Sequence, residues 1–252
     1  MTEIRAKSAS ELPGFRRRLR VVPGSHAVLA MLEDDLHCMA VILVHDGQRV
    51  TQVLPDTARM PWNACPAAAQ KLVSTFAGCL LKEVTARVEK KQNCTHLHDL
   101  AVIAAAHALD GEGFTYEVLA SDPVEGVRIL EILRDGTSLH RWIERDGVIE
   151  EPQAIAGLTL LNMRDWIASL KGVEQESARL LQWSSLVAHG RTMTIEEQSR
   201  AVDLPPNCFT FQPERAVYAE RVGDRFDFSD GTRVPLEGFG DRMIAKLERC
   251  TV

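Results

Sequence analysis

Residues 31–55, "MLEDDLHCMAVILVHDGQRVTQVLP", constrain the fold more than any other stretch of this chain. A largely apolar run from Leu36 to Val44 meets the turn signal "HDGQ", and a second strand-like run follows from Arg49 to Leu54. Apolar runs of this length flanking an Asp-Gly turn predict an antiparallel β-hairpin. Such a hairpin cannot bury a two-sided apolar strand alone, so other elements must cover it. Two helices are expected next. Cys65, Ala69, Leu72 and Phe76 recur at helical spacing, with Pro66 suited to a first helical position and Gly78 to a stop. After the charged stretch "KEVTARVEKKQ", Leu97, Ala101, Ala104 and Ala108 form a second stripe, ended by Gly111.

The composition shifts around "DGEGFTYEVLASDPVEG". Beyond it, two Arg-Asp-Gly turns predict two or three antiparallel strands. Helices are expected over 162–171 and 174–189, the second closed by Gly190. "NCFTFQPERAVYAERV" is open to either reading, "RFDFSDGTRVPL" predicts a short hairpin, and a helix is expected from about 236 to 249. The fold class is therefore α+β, an antiparallel sheet packed by helices, with a hairpin-then-helices layout in both halves. Three regions follow: a mobile lead-in at 1–12, a hairpin plus two-helix domain at 13–112, and a second α+β region at 113–252.

Composition excludes several functions. Net charge is −6, and apart from Arg16, Arg17, Arg18 and Arg20 the basic residues are scattered, which argues against a nucleic-acid partner. No apolar run approaches the roughly 18–20 residues that span a bilayer. "MTEIRAKSASELPG" lacks a continuous apolar signal segment, so a cytoplasmic location is expected, with the six cysteines reduced. There is no GxGxxG, Walker or G-x-S-x-G pattern, so no nucleotide cofactor and no hydrolase elbow is expected.

Chemistry-bearing residues gather in the first half. Cys65 is expected at one helix N-cap and Cys94 in the first turn of another, behind Asn93. A helix N-terminus lowers a thiol's pKa, and the two would converge if the helices pack side by side. Cysteine is also a common buried hydrophobe, and Cys65 continues the Ala69–Leu72–Phe76 stripe, so both alternatives stay open. Cys94 and His98, four apart, share a helix face, while His96 reaches another way from the first turn. Read as one strand, Asp35, His37 and His45 face one side. His37 and His45 would then lie roughly 26 Å apart at about 3.3 Å per residue, so they cannot share an ion, and His45 is expected in a solvated turn. Asp35 beside His37 suits either two ligands or a carboxylate-oriented imidazole.

Two resemblances rest on these residues. "PGFRRRLR", "LEDDLH", "HDGQRV", Cys65-Pro66, "FAG" at 76–78 and Cys94-Thr95-His96-Leu97 are similar, in order and spacing, to a bacterial family known only as a domain of unknown function. That likeness covers roughly 13–110 and brings no activity with it. More distantly, a hairpin followed by cysteines at two helix starts resembles iron–sulfur scaffolds of the NifU type, which hold metal with three cysteines and an acid or histidine. Cys65 and Cys94 match two of those cysteines; where the third should lie, this chain offers Asp35 and His37. The departure implies a mixed-ligand site or a metal-free acid–base site.

Arg17 with its neighbours, Arg59 and Trp62 are the candidates for holding a substrate: guanidinium groups for an anion, an aromatic wall for a ring. Three functional readings follow. The first is a small-molecule enzyme, a lyase or hydrolase acting on a catabolic intermediate, with an aromatic one as a candidate. In it His37, Asp35, His96 and Cys94 are catalytic, and Arg17, Arg59 and Trp62 bind substrate. The second is a zinc, iron or iron–sulfur module with Cys65, Cys94 and one or two of Asp35, His37, His96 and His98 as ligands, first among them His96 and His98. The third is a non-catalytic binding protein. Exposed β-edges would also allow a homodimer.

Overall fold

The computed structural model describes residues 2–86, 89–192 and 200–250. It is an α+β fold. Eight strands hydrogen-bond in the order β4-β3-β2-β1-β5-β6-β7-β8: β1 (Gly14–Pro23), β2 (Ala27–Asp34), β3 (Cys38–His45), β4 (Val50–Arg59), β5 (Phe114–Ser121), β6 (Val127–Arg134), β7 (Thr137–Arg145) and β8 (Val148–Glu151). The helices are α1 (Thr2–Ala6), α2 (Ala68–Phe76), α3 (Leu81–Val84), α4 (Thr95–Ala106), α5 (Arg164–Ser169), α6 (Gly172–Thr192), α7 (Pro213–Ala216) and α8 (Phe239–Cys250). Among the described residues no helix is long and apolar enough to cross a membrane.

The chain forms two compact units, interleaved in sequence. One comprises Met1–Arg18, Tyr116–Met193 and Asp227–Pro235; the other Leu19–Thr115, Thr194–Phe226 and Leu236–Val252.

In the second of these units the expected hairpin is β3 and β4, antiparallel, with Leu43 opposite Val53 and Ile42 opposite Leu54. Its turn is closed by the Asp46 carboxylate, which accepts from the Gln48 and Arg49 amides at 2.9 and 2.7 Å. β2 joins β3 on the other side, and all eight of its residues are buried. That explains why "AVLAMLED" shows no alternation: both faces are covered. Ala27, Leu29 and Met31 pack with Ala40 and Ile42 against Phe239, Met243 and Leu247 of α8. Those three helix residues, four apart, each contribute about 1.5–3 kcal/mol by burial. α4 also lies against β2 and β3, burying Leu97, Ala101, Ala104 and nearby Ala108.

In the other unit both Arg-Asp-Gly sequences form two-residue turns. Asp135 and Gly136 have φ of 49° and 80°, and Asp146 and Gly147 have 48° and 87°. Positive φ at both central positions matches the twist of the flanking strands, which join β6 to β7 and β7 to β8. α6 packs on β6 and β7.

Several expectations are corrected. In the segment expected as a mobile lead-in, Ile4 and Ala9 are buried against Val127, Ile129 and Ile143, and Ser8 and Glu11 form a reciprocal capping box. The helix expected to close at Gly190 runs to Thr192. "RFDFSDGTRVPL" forms no strand; the Asp227 and Asp230 carboxylates fold it into consecutive turns by accepting from the Ser229 and Thr232 amides.

Candidate functional site

β2 and β3 meet in a three-residue connection, Asp35–His37, and its geometry is dictated by Asp34. The Asp34 Oδ1 atom accepts from the Leu36 and His37 amides, each at 2.8 Å, while the Asp34 amide donates to the His37 carbonyl at 2.8 Å. A short carboxylate bonding to amides two and three residues on is a common way to force a tight turn. The same Oδ1 lies 3.1 Å from His37 Nδ1. An ionised carboxylate only accepts, so with Asp34 ionised His37 Nδ1 is the donor of this contact.

Arg59, at the end of β4, ties the connection down. Its guanidinium donates to the Asp34 carbonyl (2.6 Å), the Asp35 carbonyl (2.9 Å) and Glu33 Oε1 (3.0 Å). It also lies 4.1 Å above the Phe226 ring, whose own amide donates to the Asp35 carbonyl at 2.8 Å. Glu33 Oε2 accepts from the Leu236 amide at 2.6 Å. Main chain, one guanidinium and one aromatic ring thus fix a turn in which Glu33, Asp34, Asp35 and His37 are all buried.

His96 comes from the first turn of α4. Its ring stacks on that of His37, with centroids 3.8 Å apart and planes at 27°. Asp34, His37 and His96 are buried, and one ligand-capable atom from each lies within 4.8 Å of the others. Among the described residues this is the one such group of three or more His, Cys, Asp or Glu side chains.

The expected residues distribute as follows. His37 and His96 meet. The carboxylate beside His37 belongs to Asp34, one position before the expected Asp35. The strand ends at Asp34, so period-two alternation does not carry through to His37. Asp35 is buried and bonds to Arg59 and Phe226 through its main-chain carbonyl. His45, expected in a solvated turn, is buried at the end of β3, and burial, then His26, holds its pKa below the ordinary value.

Cys94 is itself the N-cap of α4, with no side-chain capping bond; Asn93 instead pairs with Thr75. Burial pushes the Cys94 thiol up to about 12, with Cys65 adding to the effect. Cys65 opens a 3₁₀ turn behind Ala64, and burial raises its pKa although Thr210 Oγ1, 3.4 Å away, opposes the shift. Desolvation outweighs the helix N-terminus at both thiols, contrary to the expected lowering. His98 is buried against the Phe76 ring, with centroids 5.2 Å apart. Cys65, Cys94 and His98 therefore lie outside the three-residue group.

The substrate-holding candidates are engaged elsewhere. Trp62 packs edge-on to Phe211 in a cluster with Cys65, Ala201 and Ala216. Arg59 is the clamp just described. Arg17 belongs to the other unit, where it donates to Ser184 Oγ at 3.0 Å and lies over the Trp183 and Phe15 rings. Sequence reasoning missed Asp34 and Phe226. An Asp three residues before a His at a strand end was the available signal for Asp34; Phe226, nearly two hundred residues on, had none.

Residues 23–109, about a third of the chain, match a protein family described as "protein of unknown function (DUF2889)". The matched segment holds Asp34, His37, Arg59 and His96. No curated protein matches the chain.

Proposed function

We propose that this protein is an enzyme acting on a small molecule, with its reaction centre at Asp34, His37 and His96 and proton transfer as its chemistry. The observation that carries the reading is the 3.1 Å contact between Asp34 Oδ1 and His37 Nδ1 in a buried turn. A carboxylate in that place fixes both the tautomer and the orientation of the ring, and leaves Nε2 to take a proton from water or substrate. His96, stacked alongside, offers a second imidazole to return it. Two adjacent proton carriers fit the addition, elimination or hydrolytic use of water, so a lyase or a hydrolase is the concrete form.

Cys94 has no part in this scheme as a nucleophile. A thiol held at about 12 is protonated at neutral pH, and the thiolate is the reactive species. Arg59 likewise acts by positioning: it holds the turn that carries Asp34 and His37.

The test is turnover across a panel of small carboxylic acids, their esters and unsaturated analogues, with wild type beside His37→Gln, Asp34→Asn and Cys94→Ser. His37→Gln is expected to lose about 10²–10⁴-fold in turnover, the usual share of a positioned acid–base group. Cys94→Ser is expected to stay near wild type. Equal turnover by His37→Gln and wild type, both folded, would contradict the proposal.

A further inference from the structure

We infer that Asp34, His37 and His96 together bind one divalent transition-metal ion of the zinc, cobalt or iron(II) kind. The inference rests on the reading above in that the same three residues form the reaction centre; with an ion bound, His37 and His96 are ligands and the ion's water is the proton carrier. Its test is read without turnover.

Geometry is the first support. The three side chains come from two elements far apart in sequence, the β2–β3 connection and α4, and their ligand-capable atoms fall within 4.8 Å of one another. Metal–nitrogen and metal–oxygen bonds of about 2.0–2.2 Å place ligand atoms roughly 3.3 Å apart, so the group needs to close by about 1.5 Å at most. The stacked rings must splay to aim at one ion.

The donor set is the second support. Two imidazoles and one carboxylate suit zinc, iron or cobalt, whereas magnesium and calcium are held by oxygen. Three protein ligands also leave coordination positions for water and substrate, the pattern of catalytic rather than structural sites. An ion in such a site lowers the pKa of its bound water to about 7, a proton carrier suited to neutral pH.

The third support is the scaffolding. Arg59 and Phe226 fix the turn beneath, so the main chain that carries Asp34 and His37 is held before any ion arrives. The thiols of Cys65 and Cys94, expected as ligands from the order of the sequence, stand outside the group.

The experiment uses the full chain, stripped with chelator and titrated with Co²⁺ and with Zn²⁺ under reducing, oxygen-free conditions. Calorimetry gives stoichiometry and affinity, and the cobalt spectrum reports the ligands. One ion per chain is expected, bound at least about 100-fold more weakly by His37→Gln and by His96→Gln. Cys65→Ser and Cys94→Ser are expected to bind as wild type does, and the cobalt complex to lack a sulfur charge-transfer band.

Circular dichroism establishes that each variant is folded. Should one glutamine variant fail to fold, the other and the wild-type cobalt spectrum still decide. No saturable binding by wild type would overturn the inference, as would a sulfur band or loss of binding in the cysteine variants. Wild type that binds no ion, but loses turnover in His37→Gln, overturns the metal and leaves the proton-transfer centre standing. An ion held by the three residues, with turnover untouched by their substitution, supports the metal and overturns the centre.

Discussion

Replacing Arg59 by alanine tests how the site is held. The guanidinium is nearly buried, with 10% of its side chain exposed, and its partner Glu33 is 11% exposed. It makes hydrogen bonds to Asp34 O, Asp35 O and Glu33 Oε1 and covers the Phe226 ring. Each charge-assisted bond is worth about 1.5–3 kcal/mol and the ring contact about 1–2 kcal/mol. These do not add, because water enters the space and solvates the freed carbonyls. Removing one partner of a buried ion pair costs about 3–5 kcal/mol, since the other charge stays behind, and that is the expected loss. For a chain of this size it lowers the melting temperature by roughly 6–20 °C. Arg59→Lys keeps the charge but not the fork that reaches several acceptors at once, so about half the loss, roughly 2 kcal/mol, is expected. Thermal and urea unfolding of the three proteins measure these differences. In the folded variants, cobalt affinity should fall along with stability, because the same turn carries Asp34 and His37. A loss below about 1 kcal/mol for Arg59→Ala, or full stability loss with unchanged cobalt affinity, would refute the reasoning.

Two further expectations concern the same unit. The His45 pKa is lowered chiefly by burial, then by His26, so the native state favours the neutral ring. The resulting stability is present above the unfolded value near 6.5 and lost as pH falls below it. The urea midpoint should therefore drop between pH 7 and pH 5, and less so in His45→Gln; equal slopes would count against the assignment. Gly223 has φ of 79°, and a Cβ there would lie 2.6 Å from the Met60 carbonyl. Gly223→Ala should cost about 1–3 kcal/mol in thermal unfolding, and a neutral result would show that the segment leading to Phe226 relaxes freely.

Much of the fold was legible where local chemistry decides. The Asp-Gly turns at 46–47, 135–136 and 146–147 announce their hairpins because positive φ is cheap there. The stripe of Leu97, Ala101, Ala104 and Ala108 announces α4 because one face must be buried. Strand β2 was hidden, since a strand covered on both faces has no alternation to read. At the site, His37 and His96 stood out by residue type, but their meeting depends on α4 lying across β2 and β3, a long-range fact. Asp35 looked like the partner of His37 only while the strand was read as continuous. The turn shifts that role to Asp34. The thiols misled for another reason: a helix start favours the anion, but full burial costs more than the helix start returns.

The tautomer of His37 tests the account at its centre. Long-range proton–nitrogen NMR on the metal-free protein, with the His37 signals assigned through His37→Gln, reads which ring nitrogen carries the proton. An Nδ1-protonated ring is expected in wild type and in Asp35→Asn. An Nε2-protonated ring in wild type would contradict the account.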